Sequence, residues 1–593
     1  LKPLTSAWAA LRRPRRLHAL SLCLLLAACG GSDGDRDDTP EREQPVAEMP
    51  PTRQEAARFL TQASFGPTER EVETLMQIGY HGWLDEQFRR GNGWAHRQYW
   101  DSVDATLKSQ DPNRSAGQRE VLDTFWKRAV EGDDQLRQRV AYALSQIFVI
   151  SMVDGNVAER PRGVAGYMDT LAEHAFGNYR DLLEAVARHP MMGIYLSHLR
   201  NQKEDPTTGR VPDQNFAREV MQLFSIGLNR LNPDGTPVLG AQGRPQESYN
   251  SDDIVGLSRV FTGFSWYSTR SDDACFHGWS QCQDPDRLWR TMRAYPKFHS
   301  VLDKRFLGRT APASADPEAS LDAALDTLYQ HPNVGPFIGK QLIQRLVTSN
   351  PSPRYVARVT AAFNNNGAGV RGDMRAVVKA VLLDPEARAA NAAADPGYGK
   401  LREPVLRLSA FLRAFGARSA SGSYLIGSTD NPGSQLGQTP MRSPSVFNFY
   451  RPGYVPPNTR LAEAGQVAPE MQITHETTVA GYANFMLDVV RNGVGQHGLD
   501  YRAPKRDVQL DFSRELLLVE RPAELVERLN QLLVCGQMGG TLRDEIRQAV
   551  ESIPIPVLNA TRTNQEAIDK AKAKRVQAAV FLALVSPEFI AQK

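Results

Sequence analysis

Apolar positions recur every three to four residues along most of this chain, the spacing of one buried helix face. Stretches 135–150, 178–189, 191–201, 215–226 and 252–263 carry it, as do 320–330, 335–349, 354–364, 373–383 and 403–415. It returns at 470–491, 523–534, 542–553 and 565–585. Thr68-Glu69-Arg70-Glu71 reads as a capping box opening a helix that ends near Gly79. Clear alternating strand patterns are absent. The fold class is therefore all-α: a large multi-helix globular protein with long irregular loops. Short β-ribbons fit around 236–238 or inside 266–310.

Two long non-helical regions, 267–307 and 418–467, interrupt the helices. Loops of that length are usually functional or disordered. The second is too aromatic for disorder, because Phe447, Phe449, Tyr450 and Tyr454 need something to pack on. Lining a cleft between two helical lobes, or bracing those lobes, would each supply it. His189-Pro190-Met191-Met192-Gly193 and His331-Pro332-Asn333-Val334-Gly335 share His-Pro-x-x-Gly before an apolar helix. Proline suits a helix's first turn, so this reads as a connector used twice.

Composition narrows the class. The net charge is only +3 over 593 residues, acids and bases are mixed, and no basic tract argues for nucleic acid. The first residues behave differently. Arg12, Arg13, Arg15 and Arg16 precede an apolar run, 17–28, and then Leu26-Ala27-Ala28-Cys29. That order of basic, apolar and small residues marks an export signal. With Cys next, it resembles the lipobox of bacterial lipoproteins. The resemblance implies a signal peptide at 1–28, cleavage before Cys29 and a lipid on its sulfur. About 12 apolar residues are too few to span a membrane core needing ~20. Residues 29–53 are rich in Gly, Pro and acids and read as a flexible tether, with a helical domain over 54–593. Gly30 after the cysteine points to the outer membrane. The expected location is thus exported and membrane-anchored through lipid.

In an exported chain, Cys275 and Cys282 flanking a polar loop suggest a disulfide. A Cys-His metal site with His277 is the alternative, and it lacks a fourth ligand. Cys535 reads as a buried thiol. No cofactor is implied, and no metal site is assigned.

The sequence holds no phosphate loop and no His-Glu-x-x-His. Its densest chemistry is 212–225. On a helix there, Asn215, Glu219 and Gln222 share one side, with Arg218 beside them and Phe216, Val220, Leu223 and Phe224 opposite. So narrow a polar stripe suits a partly buried network, with Lys304, Arg259 or Arg442 as partner for Glu219. An amphipathic helix with a solvated face is the plainer alternative. His198, Asn201, Asp253, His299, Lys304, Arg442 and Asn448 are further candidates, each singly as well explained by structure.

The stretches RFLTQASFGPT (58–68), ALSQIFVIS (143–151), PDQNFAREVMQLFSIGL (212–228), DDIVGLSRVFTGFSW (252–266), HSVLDKRFLG (299–308), SPSVFNFYRPGY (443–454) and RVQAAVFLALVSPEFIAQ (575–592) occur in this order. Together they resemble the bacterial family called domain of unknown function 1800. The resemblance implies an exported helical protein of no established activity. It also implies a neighbour from the domain of unknown function 1501 family, which resembles sulfatase-like proteins. Many members carry His-x-His where this chain has Ser145-Gln146-Ile147, and a His where it has Phe224. Ile and Phe cannot ligate metal, so a metal-centred reading is weaker here.

Two functions remain. One is an accessory or binding protein with a polar cleft for a surface polymer or a sulfatase-like partner. The other is a hydrolase-type enzyme on extracellular polymer. There Glu219 is the acid or base, His299 is a second catalytic candidate, and Asn215 and Arg442 position substrate.

Overall fold

The helical spacing produces helices along most of the chain. The computed structural model describes residues 48–593 except 94, 271, 390–394, 396 and 498–504. The expected leader, Cys29 and most of the tether lie outside the described residues. Among those described there are 24 α-helices, and every sheet is an antiparallel pair of strands two or three residues long. Side-chain caps set many helix starts. Thr52, Asp316 and Ser352 each accept the N–H three residues on. Thr68 accepts the Glu71 N–H at 3.2 Å, so a cap stands where expected. The Glu71 carboxylate, however, takes the Thr68 hydroxyl and Arg413 instead of closing the box.

The helix Glu69–Arg89 breaks at Gly79, where φ is +73°, and then resumes. The Tyr80 N–H donates to the Glu48 carbonyl at 3.0 Å, and a Cβ on Gly79 would meet that oxygen at 2.7 Å. Glycine is therefore required here twice over. Pro50 is buried. Residues 48–53, expected as the end of the tether, are thus tied to this helix at Glu48.

Several expected helices are shorter. The 135–150 stretch is helical as Gln135–Ser145, 191–201 as Pro190–Tyr195 and 215–226 as Asn215–Gln222. After Ser145 the N–H groups of Ile147 and Phe148 both turn onto the Leu144 carbonyl, while the Gln146 amide leaves for Glu403. The 470–491 stretch divides into a 3₁₀ turn, Pro469–Ile473, and a helix, Glu476–Asn492. Helices His96–Gln110, Gln118–Glu131 and Pro161–His174 were not singled out by periodicity. The first buries little beyond His96 and Trp100, so its stripe is faint.

Ribbons form where allowed: Phe264–Ser265 with Arg293–Ala294, and Lys304–Phe306 with Arg309–Ala311. Isolated bridges join Leu231 to Pro237 and Leu239 to Pro245. Two further ribbons link distant segments, Lys400–Leu401 with Ala591–Gln592 and Arg418–Ser419 with Val508–Gln509. Both His-Pro connectors cap alike: His189 Nδ1 accepts the Met191 N–H, and His331 Nδ1 the Asn333 N–H.

Pro45–Lys593 forms one contact unit, without the division into two lobes that the long loops suggested. One continuous apolar core runs through it. A small separate core holds Cys275, Phe276, Cys282 and Tyr295. No helix among the described residues is long and apolar enough to cross a membrane.

Candidate functional site

The residues singled out in the sequence fall into separate clusters. At the start of helix Asn215–Gln222, the Asn201 amide donates to the Asp213 carbonyl at 3.2 Å. The Asp213 N–H returns to Asn201 Oδ1 at 2.8 Å. His198 stacks on Phe216 with centroids 3.8 Å apart, and its Nε2 meets the Ala187 carbonyl at 2.8 Å. Burial lowers its pKa to about 4, so the ring is neutral at pH 7. Asn215 and Arg218 face solvent.

A second cluster surrounds His299, which sits between the Thr262 carbonyl (2.8 Å) and the Ser320 hydroxyl (3.1 Å). Burial lowers its pKa to about 4 as well. Lys304 is fully buried, and its ammonium donates to the Leu302 carbonyl at 3.4 Å. Asp253 accepts the N–H groups of Asn250 and Leu307, closing its own helix start and holding the ribbon. Elsewhere, Arg442 pairs with Asp430 at 2.9 Å and donates to Gln118 at 2.8 Å.

Glu219 is 9 % exposed, yet none of the three expected cations serves it. Lys304 and Arg442 are engaged as above, and Arg259 donates to the Asp303 carbonyl at 2.8 Å. The reason lies in packing. The Lys304 ribbon is pressed onto helix Ser251–Val260, where a Cβ on Gly256 would stand 1.6 Å from the Arg305 carbonyl oxygen. Glu219 Oε2 is buried without a hydrogen-bond partner. Burial raises its pKa, with partial relief from Arg218.

Of the named candidates, Gln222 alone lines a cleft of about 590 Å³, across from loop residues that flank Asn448. Its walls include Gln146 and Ile147 beyond helix Gln135–Ser145, Gln222 and Leu223, and Val446, Phe447 and Arg451. Helix Val334–Leu346 supplies Phe337, Lys340, Gln341, Gln344 and Arg345, spaced to share one face. Asn448 holds the loop in left-handed backbone, φ +62°, between Phe447 and Phe449. No Asp, Glu or His is among the lining residues. Lys340 has no ion-pair or hydrogen-bond partner among the described residues, and Arg451 lies over the Phe447 ring at 4.7 Å. A second concavity, of about 610 Å³, is closed by paired charges, Arg90 with Asp133 and Arg413 with Glu71.

Behind the cleft lies a buried ionic network that periodicity did not reveal. Lys400 pairs with Glu470 at 2.8 Å and donates to the Arg345 carbonyl at 3.0 Å. Arg139 donates to that same carbonyl at 2.6 Å. Arg345 donates to the Gln146 and Gln341 carbonyls. Glu403 Oε2 accepts from Tyr142 (2.9 Å), Gln146 (2.5 Å) and Gln438 (2.7 Å). Burial works to raise Glu403, but Lys400, Arg139 and the donors outweigh it, so its pKa is lowered. Burial raises Glu470 despite Lys400 beside it. Gln146 Oε1, Gln341 Nε2, Arg345 Nε and Ser349 Oγ, all of lining residues, are buried and unpartnered. Similar orphan atoms occur elsewhere in the interior, at Gln62, Asp123 and Arg388 among others, so they do not single out the cleft. The sequence signal was a charge inside an apolar stripe, as Arg139 in LRQRVAYAL and Arg345 in LIQRLV.

Three of the stretches noted above, 143–151, 212–228 and 443–454, supply walls of this cleft. Residues 58–591 match the family described as protein of unknown function (DUF1800). The chain belongs to the DUF1800 family. No curated protein and no solved structure matches it.

In this DUF1800 protein Ile147 lines the cleft, and Phe224 packs on Phe148 with centroids 5.2 Å apart. Among the described residues no group of three or more His, Cys, Asp or Glu stands as metal ligands would. Cys275 and Cys282 lie paired, Cα atoms 5.1 Å apart, while the His277 ring stacks on Trp279. Cys535 is a buried free cysteine, as expected.

Proposed function

We propose that this DUF1800 protein is an accessory cell-envelope lipoprotein that holds a segment of surface polymer in the cleft. The cleft itself carries the reading. Its volume is that of a ligand site. Amides of Gln146, Gln222, Gln341 and Gln344 both donate and accept, as sugar hydroxyls do. Phe337 and Phe447 offer rings to an apolar sugar face. In binding assays against envelope polysaccharide, Phe447→Ala is expected to weaken affinity about tenfold, roughly 1.4 kcal/mol, at unchanged Tm. Undiminished binding would refute the assignment.

The anchor is part of the proposal. A lipid on Cys29, with an acylated amine, gives the two or more chains that stable anchoring needs. Cys29→Ser should leave the protein unprocessed or released. Oxidation of Cys275 and Cys282 is expected outside the cytosol, and mass spectrometry without reduction reads it directly. A sulfatase-like protein of the DUF1501 family is the proposed partner, which co-purification tests.

A second reading is a hydrolase with Glu219 as acid. Its raised pKa, its unpartnered oxygen and its place one turn before Gln222 favour it. Turnover that disappears in Glu219→Gln, with the fold intact, would select this reading over simple binding.

A further inference from the structure

We infer that the cleft selects acidic saccharides, receiving a carboxylate or sulfate group of the polymer between Lys340, Arg345 and Arg451. This rests on the cleft being the polymer site. Three cations and no carboxylate are among its lining residues. Lys340 is unpaired among the described residues, and Arg451 meets only a ring. Arg345 places its two terminal nitrogens on backbone carbonyls, which do not neutralise it.

The network behind deepens the imbalance. Arg139, Arg345 and Lys400 face two carboxylates, Glu403 and Glu470. Three cations against two carboxylates leave the floor one positive charge in excess, even with Glu470 ion-paired to Lys400. In a concave, partly desolvated setting that field is focused into the opening instead of being screened. An anionic ligand group answers it, accepting from the Lys340 ammonium and the Arg451 guanidinium, both among the lining residues. The amide-rich walls choose among anions. They match hydroxyl groups, whereas nucleic acid would call for an extended basic track.

The test is calorimetric titration of the full processed chain in detergent with three oligosaccharides of equal length. These are oligogalacturonate, a chondroitin sulfate fragment and neutral xylo-oligosaccharide. At low salt an acidic ligand is expected to bind about tenfold tighter than the neutral one, and the gap should close toward 0.5 M salt, where the Debye length falls below ~5 Å. Lys340→Gln and Arg451→Gln should each weaken the acidic ligand about fivefold more than they weaken the neutral one. Tighter binding of either acidic ligand than of the neutral one supports the inference. Equal acidic and neutral binding, or a salt-independent gap, would overturn it while leaving the cleft reading intact. Failure of every saccharide to bind would remove both.

Discussion

At the scale of single residues, Glu219 is the sharpest departure from expectation. It is buried as the narrow polar stripe implied, but it lacks the cation that was to accompany it. Its folded pKa stands above the ordinary 4.5 because burial disfavours the charge. The proton is therefore held longer in the folded state. Stability is full below about pH 4.5 and declines as pH rises through the folded value. Glu219→Gln removes that ionisation. We expect the variant to melt higher than the parent at pH 8, by on the order of 1 kcal/mol, and level with it at pH 4. A lower melting point at pH 8 would mean that the carboxylate has a partner after all. The histidines were equally legible as residues but not as roles. His198 and His299 are ring-to-carbonyl fasteners, and their neutral state follows from burial that no motif announces. The cleft's lining side chains Lys340, Gln341 and Gln344 read in sequence as an ordinary polar face, because the opposing 446–453 loop is what makes that face concave.

At the scale of elements, helix His96–Gln110 shows what periodicity missed. Its N-cap, Ala95, offers no side-chain acceptor. Asp169, from the helix Pro161–His174, supplies one instead, accepting the His96 N–H at 2.6 Å and the Arg97 N–H at 2.9 Å. A cap supplied from a neighbouring helix leaves no local signature. Asp169→Ala should cost about 1–2 kcal/mol and fray this helix first. Limited proteolysis would then cut near 96–100 before any other helix, and a uniform cleavage pattern would contradict the assignment. Where the cap and stripe are both local, as at Asp316 before Pro317–Gln330 or Ser352 before Pro353–Asn364, the sequence reading and the structure agree closely. Where an end is set by distant groups, as at Gln146, the reading ran long.

Over the whole molecule, the buried ionic network ties together helix Gln135–Ser145, helix Val334–Leu346, the Lys400 ribbon and the 3₁₀ turn Pro469–Ile473. Lys400→Met would strand Glu470 in a dry interior. Breaking such a pair typically costs 3–5 kcal/mol, about as much as a domain has to lose. Thermal unfolding should shift downward as one transition, since Pro45–Lys593 shares one core. Two separated transitions would reveal independent lobes. The bond between Tyr80 and the Glu48 carbonyl has a different kind of consequence. It ties Glu48 to the body, nineteen residues after Cys29. Whatever path those residues take, covalent geometry limits them to about 65 Å. With the proposed lipid in place, that leash defines a hunting radius. Only polymer rooted in or lying close against the same membrane comes within range, and lengthening the leash would widen the catch without altering any contact in the cleft.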